Sequence, residues 1–377
     1  MTEFLELAGG RVAYDVTGEG PLVVLSHGIG DRRQAYRFLA PKLAQAGYRV
    51  ANADLRGHGE SSMGWKSVTG KEAITRTDIA GDLLALIRHL GGPAVIVGHS
   101  ISGGAATIAA AMEPELVSGI VEINPFTKTQ KISLGGLLRI GRYRRGMTLL
   151  LGTQLLKNLG LWMRYLDVAY PAKPADYAEY MAALAAKLRE PGRMAEFMKT
   201  GKSTPADAGA QLPNITCAAL VVMGTLDPDF ADPRAEGDAI VAAMPSGLGT
   251  VAMVNGAGHY PHAQSPDEVA ALLTAVRDYV AAHPGRYTAT IGVEPTGPED
   301  PLQAASTRVI GSIAAVLRGY GIGEDEMDHA MRTIRSTIHG FAMLEASRGF
   351  QWDADPDQSF DWMIRFIDRG LRGTSAP

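Results

Sequence analysis

The stretch AVIVGHSISGGAATIAAAM, Ala94 to Met112, breaks an apolar run at Gly98 and then crowds small residues around one serine. Gly98 to Ser102 fits the pattern G-x-S-x-G except at its fifth place, where Ser102 stands, with Gly103 and Gly104 after it. A strained strand-to-helix turn of this kind projects its serine hydroxyl from the top of a sheet, as a nucleophile elbow does. Small neighbours are expected because larger side chains would collide with the adjoining strands. The N-terminus of the following helix favours negative charge that develops nearby. The chemistry this indicates is attack by Ser100 on an electrophilic carbon. The sequence has no H-E-x-x-H spacing and no dinucleotide fingerprint in its strand–helix setting, so neither metal nor cofactor is expected.

A sheet must carry such a turn, and the chain supplies one. RVAYDVTG alternates as a strand, PLVVLS is a short apolar run, and YRVANADLRG, AVIVGHS and GIVEIN follow, with helical patterns between them. Buried strands that alternate with helices predict an α/β fold with a mostly parallel sheet covered on both faces. Between about 127 and 212 strand character vanishes and helical composition takes over; it returns with AALVVMG and GTVAMVNG. The expected organisation is a sheet core over 1–126 and 213–283, a helical cap over 127–212, a Pro- and Gly-rich linker over 284–300, and a helical domain over 301–377.

Four motifs in order extend the reading. LSHGIGD begins at Leu25, DLRGHGESS at Asp54, GTLDPDF at Gly224 and GAGHYPHAQSPDEV at Gly256. Together with the elbow they make residues 3 to 283 resemble the α/β-hydrolase superfamily, as its oxyanion loop, a neighbouring strand-end loop, its acid loop and its histidine loop. The resemblance implies Ser100 as nucleophile, His259 as general base and acid, and Asp227 as the group that orients the imidazole. It also implies an oxyanion hole from the backbone N–H groups of Ile29 and Ile101. Asp229, Asp232 and His262 are neighbouring alternatives within those loops, and Asn124 occupies a second acid position of the superfamily without an acid. His27, Arg56, His58 and His99 are expected to satisfy loop backbone groups.

A serine nucleophile argues against the epoxide hydrolases and haloalkane dehalogenases of this superfamily, which use aspartate, and against its cysteine-dependent lactone hydrolases. The expected reaction is hydrolysis of a mostly apolar carboxylic ester or lactone through an acyl-Ser100 intermediate. Carbon–carbon bond hydrolysis is the alternative within enzymes, and a non-catalytic ligand receptor is the alternative outside them. Substrate contacts are expected from the cap, where Arg142, Arg144 and Arg145 lie close to Trp162, Met163 and Tyr165. This mixture fits an amphipathic lid, or an apolar pocket in which arginines meet a substrate carboxylate.

Beyond residue 300, Ile338–Phe341, Leu344–Glu345, Gly349–Phe350, Ser359–Phe360 and Gly370–Leu371 resemble the C-terminal ligand-binding and dimerisation domain of tetracycline-repressor-type regulators. That resemblance implies a homodimer formed through the last helices. No helix-turn-helix accompanies it, and eight Arg with no Lys against ten Asp plus Glu leave the region at −2, so no nucleic-acid partner is expected. The whole chain, at −4 with one cysteine, Cys217, and no apolar run of spanning length, is expected to be cytoplasmic, off the membrane, and to act on a small molecule.

Overall fold

The computed structural model describes residues 2–282, 310–311, 313–314, 316–346, 350 and 355–374. The expected linker over 284–300 lies outside them, as does half of the first C-terminal helical pattern. The described strands are β1 (Glu3–Leu7), β2 (Gly10–Thr17), β3 (Leu22–Ser26), β4 (Arg49–Ala53), β5 (Ala94–His99), β6 (Val117–Ile123), β7 (Ala218–Gly224) and β8 (Gly249–Val254). They make one sheet in the order β1-β2-β4-β3-β5-β6-β7-β8. Pairing is parallel from β4 through β8 and antiparallel where β1 and β2 close one edge.

Alternation along the central strands divides the core in two. Val23, Leu25, Val97 and Val121 face one side, under α1 (Leu39–Gln45). Leu22, Val24, Ile96 and Ile120 face the other, under α2 (Arg76–His89) and α3 (Ile101–Met112). This is the two-sided cover that makes parallel strands read as continuous apolar runs. A capping box starts α2: Thr75 Oγ1 accepts from Asp78 N at 3.1 Å, and Asp78 Oδ2 accepts from Thr75 N at 2.8 Å.

The strand-free stretch forms α4 (Leu134–Arg139), α5 (Gly141–Leu156), α6 (Leu159–Ala169), α7 (Tyr177–Arg189), α8 (Arg193–Thr200) and α9 (Ala206–Gly209). These helices bury their own aromatic core, with Trp162, Tyr165, Tyr180 and Phe197, and draw in Tyr260 from the sheet domain. Trp162 Nε1 donates to Gly30 O at 3.2 Å, and Tyr180 Oη donates to Asp31, so the cap is fastened to the loop after β3. The sheet domain is completed by α10 (Pro233–Val241), α11 (Pro261–Gln264) and α12 (Pro266–Ala282), with Val269 of α12 in the same core as α1.

In the C-terminal region a helix Glu324–Ala346 packs on α12, and a last helix spans Pro356–Thr374. Leu317, Ile322 and Met327 form a small core there, with Leu371 packed against it. No helix among the described residues is long and apolar enough to cross a membrane.

Candidate active site

Ser100 sits between β5 and α3 with φ 57° and ψ −117°, a conformation that only an over-determined turn retains. Its N–H donates to Ile123 O at 3.0 Å, and its carbonyl accepts from Gly103 N and Phe126 N, both at 3.1 Å. A Cβ on Gly98 would stand 2.2 Å from Ser102 O, and one on Gly103 would stand 2.6 Å from Pro125 Cβ. The collisions that forbid larger residues are therefore with the turn itself and the residue pair after β6, rather than with adjoining strands as expected. Ser102 has its own reason to be serine: its hydroxyl donates to His27 O at 2.6 Å and accepts from Ser26 Oγ at 2.9 Å. A glycine could not fasten the turn to the end of β3 in this way.

Asp227 and His259 come together from the loops after β7 and β8. Asp227 Oδ2 accepts from His259 Nδ1 at 2.7 Å, which leaves Nε2 free of the proton. The other carboxylate oxygen accepts from Asp229 N at 2.8 Å. Ser100 and His259 line one cavity, although no hydrogen bond joins their side chains here. Burial works against the imidazolium, but the negative charges of Asp227 and Asp229 reverse this and hold His259 above the ordinary 6.5. Asp229 lies 3.4 Å from His259 Nδ1 and accepts from Tyr165 Oη at 2.6 Å; burial lifts its carboxyl to about 7. Asp232 is elsewhere, capping α10 through Ala235 N at 3.1 Å.

His99, His27 and His58 hold loops. His99 Nε2 donates to His259 O at 2.7 Å, so it supports the backbone under the imidazole. His27 Nε2 accepts from Leu55 N at 3.1 Å, and His58 Nε2 accepts from Gly30 N at 3.2 Å. Arg56 grips Asp82 with two bonds of 2.7 and 2.6 Å. His262 packs its ring 4.6 Å from that of Tyr36, has no hydrogen-bond partner for either ring nitrogen among the described residues, and is driven by burial to about 3. Asn124, at the second acid position, donates to Gly258 O at 2.8 Å and accepts from Gly224 N at 2.8 Å. It ties the roots of the acid and histidine loops together. Asp227, Asp229 and His259 also bring one ligand atom each within 4.8 Å of one another, and within this group His259 Nδ1 is bonded to Asp227 Oδ2 and Tyr165 Oη to Asp229 Oδ2.

The cavity over Ser100 measures about 240 Å³. Ile29 and Ile101 both line it, and no protein acceptor takes their backbone N–H groups among the described residues. From the cap come Leu150, Gln154, Trp162 and Tyr165. The cap arginines do not join them. Arg142 donates to Asp227 O at 2.8 Å and Phe230 O at 2.7 Å, bracing the acid loop from behind, and Arg144 reaches the Leu137 carbonyl at 3.3 Å. The arginine that lines the cavity is Arg76, at the start of α2, which no motif in the sequence singles out.

The chain belongs to the α/β hydrolase family, which it matches over residues 23–272. Residues 269–367 match the tetracyclin repressor-like C-terminal domain. A 2-(acetamidomethylene)succinate hydrolase of Mesorhizobium japonicum is 30% identical over 285 residues, covering 72% of this chain and 93% of that protein. An uncharacterized HTH-type transcriptional regulator of Mycobacterium tuberculosis is 35% identical over 106 residues, 28% of this chain and 48% of that one. The solved structure of a thermophilic esterase from Thermogutta terrifontis shares the fold, with a TM-score of 0.55 at 22% identity over 74% of this chain and 98% of the esterase.

Proposed function

We propose that this α/β hydrolase cleaves carboxylic esters or lactones through an acyl-Ser100 intermediate. The observation that carries the reading is the buried 2.7 Å bond from His259 Nδ1 to Asp227, beside a serine on a strained elbow in the same cavity. His259 Nε2 takes the Ser100 proton as Oγ bonds to the carbonyl carbon, then delivers it to the leaving oxygen as the C–O bond breaks. Water, deprotonated by the same nitrogen, attacks the acyl-serine and the proton returns to Oγ. The N–H groups of Ile29 and Ile101 receive the charge on the carbonyl oxygen, where one donor is worth on the order of 100- to 1000-fold in rate. The cavity's wall of Ile29, Ile101, Phe126, Leu150 and Trp162 suits an acyl or ring group of moderate size. The Mesorhizobium relative is itself named as a hydrolase, of 2-(acetamidomethylene)succinate.

The test is stopped-flow turnover of 4-nitrophenyl esters. A burst of 4-nitrophenol close to the enzyme concentration, lost in Ser100→Ala with a fall in kcat of roughly a thousandfold or more, is the expected result. Turnover that survives Ser100→Ala would remove the acyl-serine from the mechanism.

The quaternary part of the proposal is a homodimer through the C-terminal helices. Its support is the match to a repressor-type domain and a stacked pair on the last helix, Trp362 and Phe366, whose rings lie 5.3 Å apart and are 56% and 59% exposed.

A further inference from the structure

Arg76 is a buried cation with no carboxylate in contact with it among the described residues. It is 5% exposed, and no carboxylate oxygen lies within 4.0 Å of it among the described residues. Its Nε donates to Phe126 O at 2.9 Å and its Nη1 to Ser203 Oγ at 2.8 Å, while Nη2 has no partner among the described residues. The other buried arginines of the core are paired: Arg33 with Asp54, and Arg56 with Asp82 and Asp78. Burial of an unpaired charge is costly, and here it is strong enough to bring the guanidinium down to about 10, with only exposed Asp207 opposing the shift. The placement is unfavourable twice over, since Arg76 opens α2, where the helix dipole already presents positive charge.

The surroundings make room for this side chain. A Cβ on Gly104 would come within 2.8 Å of Arg76 Cδ, so the second glycine after the elbow is the floor on which the arginine lies. Phe126, whose carbonyl holds Nε, gives its own N–H to Ser100 O at 3.1 Å and packs its ring 6.0 Å from that of His259. Gln154 and Ser203 line the cavity with Arg76, so one polar stretch of its wall ends in a fixed, donor-rich cation.

Resting on the acyl-serine reading above, we propose that Arg76 is the binding group for a substrate carboxylate, so that the preferred substrates are acyl compounds carrying a free carboxylate on the acyl or the leaving side. A guanidinium in the cavity wall, with Nε and Nη1 engaged and Nη2 without a partner among the described residues, can take a carboxylate oxygen by a charge-assisted hydrogen bond. The anion supplies the missing counter-charge, so binding removes a cost already present in the free protein. A neutral ester of the same length gains nothing from it.

The experiment compares matched esters: mono-4-nitrophenyl adipate against 4-nitrophenyl hexanoate for a charge on the acyl side, and 4-acetoxybenzoate against phenyl acetate for one on the leaving side. In the wild-type enzyme at least one anion is expected to exceed its neutral partner about tenfold or more in kcat/KM, mainly through KM. That ratio should collapse in Arg76→Gln and be partly kept in Arg76→Lys. Neutral esters equal to or better than both anions in the wild type would overturn the assignment, as would an anion preference untouched in a folded Arg76→Gln. Calorimetric binding of adipate against adipamide to Ser100→Ala reads the same site without turnover. If no ester is cleaved yet adipate binds through Arg76, the acyl-serine reading fails and the carboxylate site stands. If esters are cleaved with no adipate binding and no anion preference, the carboxylate site fails and the acyl-serine stands.

Discussion

Two buried carboxylates share one imidazole, and they do different work. Asp227 holds Nδ1 at 2.7 Å and fixes the ring, while Asp229 stands at 3.4 Å and is itself held by Tyr165. Because His259 must be neutral to accept a proton and its pKa is raised, kcat/KM should climb with pH through an apparent pKa above 6.5. Asp229→Asn removes one of the charges that favour imidazolium, so this acidic limb should move to lower pH; a pH–rate profile checks it, and a limb that stays in place would show that Asp229 does not act on His259. Ser100, His259 and Asp227 are legible in the sequence because each stands in a tight loop whose backbone restricts the neighbouring residue types. Arg76 is not, because the group that explains it, Ser203, lies 127 residues away and only folding brings the two together.

Seven of the eight strands and the cap are readable from short-range patterns, since burial on both faces and helical spacing are written locally; β1 (Glu3–Leu7), an edge strand with one buried residue, Leu5, is not. The functions of the connecting residues are not. Asn124, with φ 40°, reads in the sequence only as a missing acid, yet it bridges the loops after β7 and β8 with two buried bonds of 2.8 Å. Asn124→Ala should orphan Gly224 N and Gly258 O at about 1–3 kcal/mol each and lower the melting temperature, with kcat falling as the acid and histidine loops loosen. Thermal unfolding and ester turnover of this variant check both; an unchanged melting temperature would mean that other contacts hold the loops. Of the cap arginines, Arg142 serves neither water nor a ligand but the acid-loop backbone, which the sequence does not indicate.

The helical domain and the hydrolase domain share an element. The repressor-like match begins at residue 269, inside α12, whose Val269 lies in the sheet core and whose outer side meets the helix Glu324–Ala346. A boundary near 300 is the natural reading of the sequence, because the Pro- and Gly-rich stretch lies there and the first half of α12 packs Val269, Ala270, Leu272 and Leu273 on the hydrolase core. A Cβ on Gly47, just after α1, would stand 2.1 Å from Asp361 Oδ1, so the last helix also approaches the core closely. Trp362 and Phe366 nevertheless remain on the outside. Replacing both with glutamate should halve the mass measured by light scattering and leave ester turnover in place. A mass that does not change would assign these helices to intrachain packing.

The most direct test is the intact mass of the protein after reaction with a fluorophosphonate probe. Wild type should gain one probe at Ser100, Ser100→Ala should gain none, and His259→Ala should react far more slowly, because the hydroxyl is activated only through the imidazole. A folded wild type that does not react, or a Ser100→Ala variant labelled as fast as wild type, would contradict an activated Ser100 nucleophile.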